Sequence, residues 1–172
     1  ITIEGGHRVG ICGRVTLENG QVHLIKDVSS LNIRRSREIT GSSDKILGAV
    51  LSPAKTPPEG VQNAGVSAAI TEMNVRNTLI ISPPKCGKTT ILRDLARSLS
   101  CRGFRIGICD ERSEIAGCYD GKTSYDLGPR TDVLDGCPKA EGILMLIRAM
   151  SPDVVLTDEI GKPEDAAAIR SA

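Results

Sequence analysis

The run at residues 82–90 constrains this chain more than any other feature of its sequence. It reads Ser-Pro-Pro-Lys-Cys-Gly-Lys-Thr-Thr and matches the pattern G-x-x-x-x-G-K-[ST] at every fixed position except the first, where Ser82 replaces glycine. An apolar run rich in β-branched residues at 78–81 precedes it, and a helical pattern at 89–99 follows it. These neighbours predict a buried parallel strand, a loop and a helix N-terminus, where unpaired amides and the helix dipole favour an anion. The sequence therefore predicts a phosphate-binding loop of the Walker A type.

Individual loop residues are expected to bind ATP and Mg²⁺. Lys88 is expected to reach the β and γ phosphates, and the Thr89 hydroxyl is expected to hold the metal. Lys85 occupies a position where related loops often carry glycine, so it adds a bulky cation beside the phosphates. Slow turnover is one expectation from this departure. The predicted nucleotide-binding residues are Pro83, Pro84, Lys85, Cys86, Gly87, Lys88, Thr89 and Thr90.

Acidic residues follow two further apolar runs. Asp158 and Glu159 end the run at 153–157, the form expected of a Walker B element. We expect Asp158 to organise the magnesium shell through water and Glu159 to orient or deprotonate the attacking water. A second cluster at 110–114 follows another predicted strand, and the carboxyl ends of parallel strands open onto one crevice. Glu111 is therefore a rival base, and the alternative is that this cluster is a solvated charge run.

Residues 1–51 are predicted to form a small N-terminal α+β domain. Apolar residues alternate over 8–24, and Asn19-Gly20 lies between the two halves, a composition typical of a hairpin turn. A third strand is expected to pair at 30–35, and a short helix at 44–51 closes this unit.

Residues 52–76 are predicted to be a linker and a connecting helix, and residues 77–172 to be the nucleotide-binding core, truncated at its C-terminus. The predicted core elements are strands at 78–81, 104–109 and 153–157, helices at 89–99, 140–150 and 163–169, and a long irregular loop at 117–138. Alternating strands and helices indicate an α/β fold whose parallel sheet is flanked by helices.

Composition excludes several classes of protein. With 22 basic and 21 acidic residues the net charge is +1, so no global field draws the chain to nucleic acid or anionic lipid. The longest apolar stretches are too short to span a membrane, and no signal peptide opens the chain. None of the six cysteines forms a C-x-x-C pair, which favours reduced, partly buried thiols in a cytosolic protein. The first residue, Ile1, and the helical pattern at the end indicate an excised fragment.

With these elements in place, the sequence resembles the stage III sporulation protein AA family, sporulation relatives of the type II and type IV secretion ATPases. The resemblance implies a RecA-like P-loop NTPase fold. It also implies a Mg²⁺-dependent ATPase, typically a hexameric ring, in the mother-cell cytosol. The residues that carry it are Gly6-His7-Arg8-Val9-Gly10, 29–34, the loop at 82–90, 109–117 and 150–161.

The resemblance also implies partners and further site residues. Such an ATPase is expected to energise a transport channel between mother cell and forespore by contacting membrane-embedded channel proteins. In secretion ATPases, basic residues of the N-terminal domain approach the nucleotide, and an arginine supplied across a subunit boundary accelerates phosphoryl transfer. The candidate arginines for supply in trans are Arg8, Arg34, Arg35 and Arg130.

Two other functions are open at this stage. Arg34, Arg35 and Arg37 form a basic run that suits a nucleotide-dependent nucleic-acid-binding module. Two tyrosines and one phenylalanine are few for base stacking, so nucleic acid is not the expected partner. Ser82 and Lys85 motivate the other alternative, a nucleotide-binding scaffold with low turnover.

Overall fold

A computed structural model describes residues 1–53 and 73–172 of the chain. Most of the predicted linker and connecting helix at 52–76 lies outside the described residues. The described strands are β1 (Thr2–Ile3), β2 (His7–Glu18), β3 (Gln21–Arg34), β4 (Leu51–Pro53), β5 (Met73–Val75), β6 (Ile106–Asp110), β7 (Thr131–Asp135) and β8 (Val154–Thr157). The described α-helices are α1 (Asp44–Val50), α2 (Lys88–Cys101), α3 (Lys139–Met150) and α4 (Pro163–Ser171).

The N-terminal strands form a long antiparallel ribbon. β2 and β3 pair on either side of Asn19 and Gly20, whose φ angles of 51° and 77° match the turn that suits right-handed strand twist. The hairpin is confirmed, but the separate third strand is wrong. Residues 30–34 continue β3 without a break and pair back onto the start of β2, while β1 supplies the third strand. The apolar positions of β3 shift from even numbers at 22 and 24 to odd numbers at 31 and 33, and an irregularity in the pairing between Cys12 and Arg14 absorbs this shift without ending the strand.

Much of the apolar surface of this ribbon is exposed. Leu17 pairs with Val22, and Leu31 with Ile11, so these side chains lie side by side across the strands. Leu17, Val22 and Leu31 are all exposed in the described part of the chain. Exposed apolar area of this kind is typical of surfaces that contact another protein.

A parallel three-stranded sheet forms the centre of the second part of the chain. β6 lies between β7 and β8, in the order β7-β6-β8, and every residue of β6 is buried. A parallel strand covered on both faces is typically apolar, which agrees with Ile106 and Ile108. The mixed α/β class and the parallel sheet are confirmed.

The predicted strand at 78–81 is wrong for this structure. These residues do not join any described strand pair, and Leu79 and Ile81 are 68 % and 84 % exposed. β-branched residues favour an extended backbone, but a strand also needs a partner edge. The order β7-β6-β8 leaves the outer edges of β7 and β8 open within the described residues, but the segment pairs with neither of them.

The predicted irregular loop at 117–138 is wrong in part, because β7 lies inside it. β7 pairs in parallel with β6 from Thr131 to Asp135. Gly128 and Gly136, both with positive φ, flank it closely. These turn residues made a five-residue strand look like part of a continuous loop.

The four helices agree with their predicted positions to within about two residues, the usual precision of helix ends. The helix at 44–51 is observed as α1, 89–99 as α2, 140–150 as α3 and 163–169 as α4. Gly103, with a φ of 98°, follows α2 as expected of a residue that ends a helix. In the described residues, none of the helices combines the length and the hydropathy that a bilayer crossing requires.

Candidate functional site

The loop at 82–90 leads directly into α2. Gly87 caps the helix with a φ of 82° and makes no side-chain capping bond, so the first amides of α2 have no side-chain partner at the cap. Lys85 also has a positive φ, 65°, a conformation that favours glycine. Glycine adopts this conformation most easily, and a helix terminus capped by Gly87 suits an anion.

The ammonium group of Lys88 folds back onto its own loop. It donates to the carbonyl oxygens of Ser82 and Pro83, each at 3.0 Å, and to the Ser82 hydroxyl at 3.3 Å. The serine that replaces the first glycine thus supplies an additional acceptor. These bonds hold the amine over the loop, beside the start of α2.

A compact ionic cluster lies at the carboxyl edge of the sheet. Glu111 follows β6, Asp158 follows β8, and Lys139 begins α3. Lys139 Nζ lies 2.6 Å from Glu111 Oε2 and 2.9 Å from Asp158 Oδ1. Asp158 Oδ1 is buried and accepts no hydrogen bond from the part of the chain that the structure describes. Its contact with the ammonium is therefore an ion pair without hydrogen-bond geometry. The structure thus brings together two predicted site carboxylates with a lysine that sequence reasoning missed.

Burial and charge set the protonation of this cluster. Burial alone would lower the pKa of Lys139, but its hydrogen bond to Glu111 and its ion pair with Asp158 outweigh burial and raise that pKa. The hydrogen bond from Lys139 lowers the pKa of Glu111. The lysine is therefore an ammonium and Glu111 a carboxylate. No signal in the sequence separates Lys139 from an exposed lysine at the start of a helix.

The other acidic residues have different environments. Asp110 is fully buried and accepts the backbone N–H groups of Glu114, Ile115 and Ala116 at 2.9, 2.9 and 2.8 Å. Burial raises its pKa in spite of these bonds. Asp110 therefore fixes the turn after β6. The Glu159 side chain is 73 % exposed and lies 3.5 Å from Arg112, so it is free to meet water.

Three of the four candidate arginines line a cavity beside Thr89, in the first turn of α2, within one chain. Arg8, Arg34 and Arg35 line a cavity of about 150 Å³ together with Thr89 and Glu114. Arg8 Nη1 lies 2.8 Å from Glu114 Oε1. The cavity is therefore rich in positive charge and adjoins the predicted metal-binding threonine.

Arg130 lies elsewhere. It directly precedes β7, and its carbonyl accepts the N–H of Ile106, the first residue of β6. In a parallel sheet these residues mark the amino edge, whereas Glu111 and Asp158 follow strand carboxyl ends. Within the chain, Arg130 is thus at the opposite edge from the acidic cluster.

Two buried charged residues of α2, Arg93 and Asp94, bond to Ser36 and Ser43 in the segment that follows Arg34 and Arg35. The Arg93 side chain, 2 % exposed, donates to the Ile115 carbonyl at 2.6 Å, the Glu114 carbonyl at 2.7 Å and the Ser36 hydroxyl at 3.1 Å. Asp94 accepts the backbone N–H and the hydroxyl of Ser43. Sequence reasoning missed both, because charged residues in an amphipathic helix are expected on the solvent face.

The loop and the acidic cluster are separate in their bonding. Across residues 1–53 and 73–172, no hydrogen bond or ion pair joins Lys88 or Thr89 to Glu111, Asp158 or Glu159. The same ranges contain no group of three or more His, Cys, Asp or Glu side chains that could hold a metal. A magnesium ion held by one carboxylate, water and phosphate oxygens fits this donor set, and the buried Asp158 Oδ1 without a hydrogen bond is a suitable ligand.

The six cysteines agree only in part with the prediction of reduced, partly buried thiols. All six are free thiols, and burial raises the pKa of Cys109 and of Cys118 to about 11, so both stay protonated near neutral pH. The expectation that all are partly buried is wrong for Cys12, Cys86 and Cys101, which are exposed. Cys86 is exposed because the loop that carries it projects from the start of α2.

Comparison with known proteins identifies the family. A family model described as "Sporulation stage III, protein AA" matches residues 1–172. The chain belongs to this family. Stage III sporulation protein AA of Bacillus subtilis (strain 168) is 48 % identical over 178 residues, a stretch that covers 100 % of this chain and 51 % of that relative. The chain thus spans about half the length of the curated relative that it matches. No solved structure matches it. The family resemblance read from the sequence is confirmed.

Proposed function

We propose that this chain is the nucleotide-binding part of a RecA-like P-loop ATPase that acts in stage III of sporulation. The start of α2 carries the proposal: a glycine-capped helix terminus without a side-chain cap, preceded by a loop with the fixed Gly87, Lys88 and Thr89. Such a terminus binds phosphate through backbone amides. The printed names of the family and of the Bacillus relative support the role in sporulation.

Particular residues hold ATP and Mg²⁺ in this proposal. The backbone N–H groups of 85–90 and the Lys88 ammonium bind the β and γ phosphates, which replace the carbonyl partners that Lys88 has within its loop. Thr89 and Asp158 hold Mg²⁺, which supplies neutralisation of the charge that develops on the phosphates. Binding therefore requires the Lys88 side chain to exchange neutral carbonyl acceptors for charged ones.

The test is the affinity of Lys88→Ala for ATP. Loss of a charge-assisted hydrogen bond costs about 1.5–3 kcal/mol, so we expect ATP affinity to fall by roughly tenfold to a hundredfold, measured by titration with a fluorescent ATP analogue. Lys45→Ala is the control, since Lys45 is an exposed lysine in the first turn of α1. Equal affinity in both variants would overturn the site.

Glu159 is the preferred catalytic base. A base must take a proton from water, and the bond from Lys139 makes Glu111 a weaker base by lowering its pKa. Glu159 is exposed and only loosely paired with Arg112. We expect Glu159→Gln to bind ATP normally and to slow single-turnover hydrolysis by roughly a hundredfold or more. A larger loss in Glu111→Gln would reverse the two assignments.

The arginines are proposed to act on the nucleotide bound by their own chain. The cavity shared by Arg8, Arg34, Arg35 and Thr89 supports supply in cis, in contrast to the trans supply that the resemblance implied. Mixing Lys88→Ala with Arg34→Ala subunits tests this. Supply in cis predicts no recovery of hydrolysis, whereas recovery in verified mixed assemblies would establish supply in trans.

A second candidate is a nucleotide-binding scaffold with low turnover. The left-handed backbone of Lys85 favours it, because this cation is fixed on the loop beside the phosphate site. Normal ATP affinity with single-turnover hydrolysis no faster than in Glu159→Gln would support the scaffold over the motor.

The motor itself remains a proposal for the whole protein. We propose a homo-oligomer, hexameric as in the secretion ATPases that the chain resembles. It would sit on the mother-cell side of a membrane and energise membrane-embedded channel proteins. The exposed apolar side chains of the β2–β3 ribbon support contact with another protein. ATP-dependent assembly of the full-length protein, followed by light scattering, tests the oligomer.

A further inference from the structure

Lys139 is a buried cation in an unfavourable place. It begins the 12-residue helix α3, where the positive end of the helix dipole disfavours a cation, and its side chain is only 4 % exposed. A lysine buried at such a position needs strong compensation. Glu111 and Asp158 provide it, at 2.6 and 2.9 Å.

The ammonium occupies a cation position at the acidic edge of the sheet. Among residues 1–53 and 73–172, Asp158 Oδ1 accepts no hydrogen bond, and it forms an ion pair with Lys139. A metal ion approaching this oxygen therefore meets a resident positive charge. Like charges this close to one another repel, and the repulsion is stronger at a buried site than in bulk water.

We propose that Lys139 is a positioning residue that holds Glu111 and Asp158 in the metal-free state and keeps divalent cations off Asp158 until nucleotide arrives. The proposal rests on the proposed function in that Asp158 is the magnesium-organising residue. ATP brings its own negative charge, which offsets the repulsion between Lys139 and Mg²⁺. The metal is therefore admitted together with the phosphates and excluded alone.

The exclusion of divalent cations from Asp158 can be measured without ATP hydrolysis, because the contact of Asp158 with Lys139 and its binding of a cation are thermodynamically linked. If the ammonium and a divalent cation compete for Asp158, removing the ammonium must tighten binding of the cation by the free energy of competition. Mn²⁺ serves as the probe because free Mn²⁺ is counted directly by electron paramagnetic resonance.

The experiment titrates Mn²⁺ alone into three nucleotide-free proteins: the unaltered chain, Lys139→Met and Lys45→Met. We expect Lys139→Met to bind Mn²⁺ about tenfold or more tightly than the unaltered chain, and Lys45→Met to match the unaltered chain. Lys45 is the matched control because it also lies in the first turn of a helix but is exposed. Equal affinity in Lys139→Met and the unaltered chain would overturn the proposal.

A double variant ties the new affinity to Asp158. In Lys139→Met with Asp158→Asn, the gained affinity should be lost, and its survival would contradict the proposal. Circular dichroism checks folding, and Lys139→Gln replaces the methionine variant if that one is disturbed. ATP binding is titrated separately, so failure of nucleotide binding with tight Mn²⁺ binding by Lys139→Met would count against the proposed function alone.

Discussion

At the scale of single residues, the backbone conformation and the side chain conflict at position 85 of the loop. Lys85 places a cation beside the proposed phosphate site but adopts a φ of 65°, which side chains with a Cβ rarely adopt. Gly87 adopts a φ of 82° without this penalty. The chain thus keeps glycine at one of the two left-handed positions in its loop and tolerates strain at the other.

Replacing Lys85 separates strain from charge. Lys85→Gly and Lys85→Val both remove the cation, but only valine must hold a branched side chain at positive φ. We expect Lys85→Val to be less stable than Lys85→Gly by roughly 1–2 kcal/mol, measured by urea denaturation. Equal stability of the two variants would show that the left-handed conformation is not maintained in solution.

At the scale of the elements, helix α3 lies very close to strand β6 at Gly142. A Cβ on Gly142 would clash with Cys109 Sγ, whereas a Cβ on Gly48, in α1, would meet nothing within 4 Å among the described residues. The close approach sets the position of α3, and α3 begins with Lys139. Packing in the middle of the helix therefore helps to place the ionic cluster at its start.

The two glycines predict opposite effects of the same substitution. Gly48→Ala should stabilise the protein by about 0.5–1 kcal/mol, because alanine restricts the unfolded chain and favours the helix. Gly142→Ala should destabilise it by about 1–3 kcal/mol, because the methyl group overpacks the contact with Cys109. Urea unfolding of both variants provides the comparison, and stabilisation by Gly142→Ala would show that α3 is not seated this closely on β6.

At the scale of the whole molecule, Asp94 joins the segment that precedes α1 to helix α2. It accepts bonds from Gly41 and Ser43 and pairs with Arg97. Burial alone would raise the pKa of Asp94, but the bonds from Ser43, Arg97 and Gly41 outweigh burial and lower it to about 2. A carboxylate with a lowered pKa stabilises the fold above its unfolded pKa, and this contribution disappears as the pH falls through the folded pKa.

Acid should therefore weaken this junction. From the ordinary value of 3.8 to about 2, the shift corresponds to about 2 kcal/mol of stability. We expect the free energy of unfolding to fall between about pH 4 and pH 2, and Asp94→Asn to lose part of this pH dependence. Asp120→Asn, at an exposed loop position, controls for the loss of one negative charge. Identical pH profiles for Asp94→Asn and the unaltered chain would contradict the role of Asp94.

The sequence by itself determined the features that depend on local order. The hairpin turn at Asn19-Gly20, the four helices and the apolar strands β6 and β8 follow from turn residues and from periodicity. The motif pattern also located the loop, Glu111, Asp158 and the family. Spacing placed Glu111 and Asp158 after parallel strands, which is why their proximity at one sheet edge could be expected.

Only the tertiary structure decided how distant charges pair. Lys139, Arg93 and Asp94 look like surface residues of amphipathic helices in the sequence, and each is buried against groups far away in the chain. The absence of pairing at 78–81 and the pairing of β7 could not be predicted from local sequence either, because strand pairing depends on contacts between distant segments. The sequence shows directly which residues are apolar or charged, but long-range packing determines which of them become buried and which contact one another.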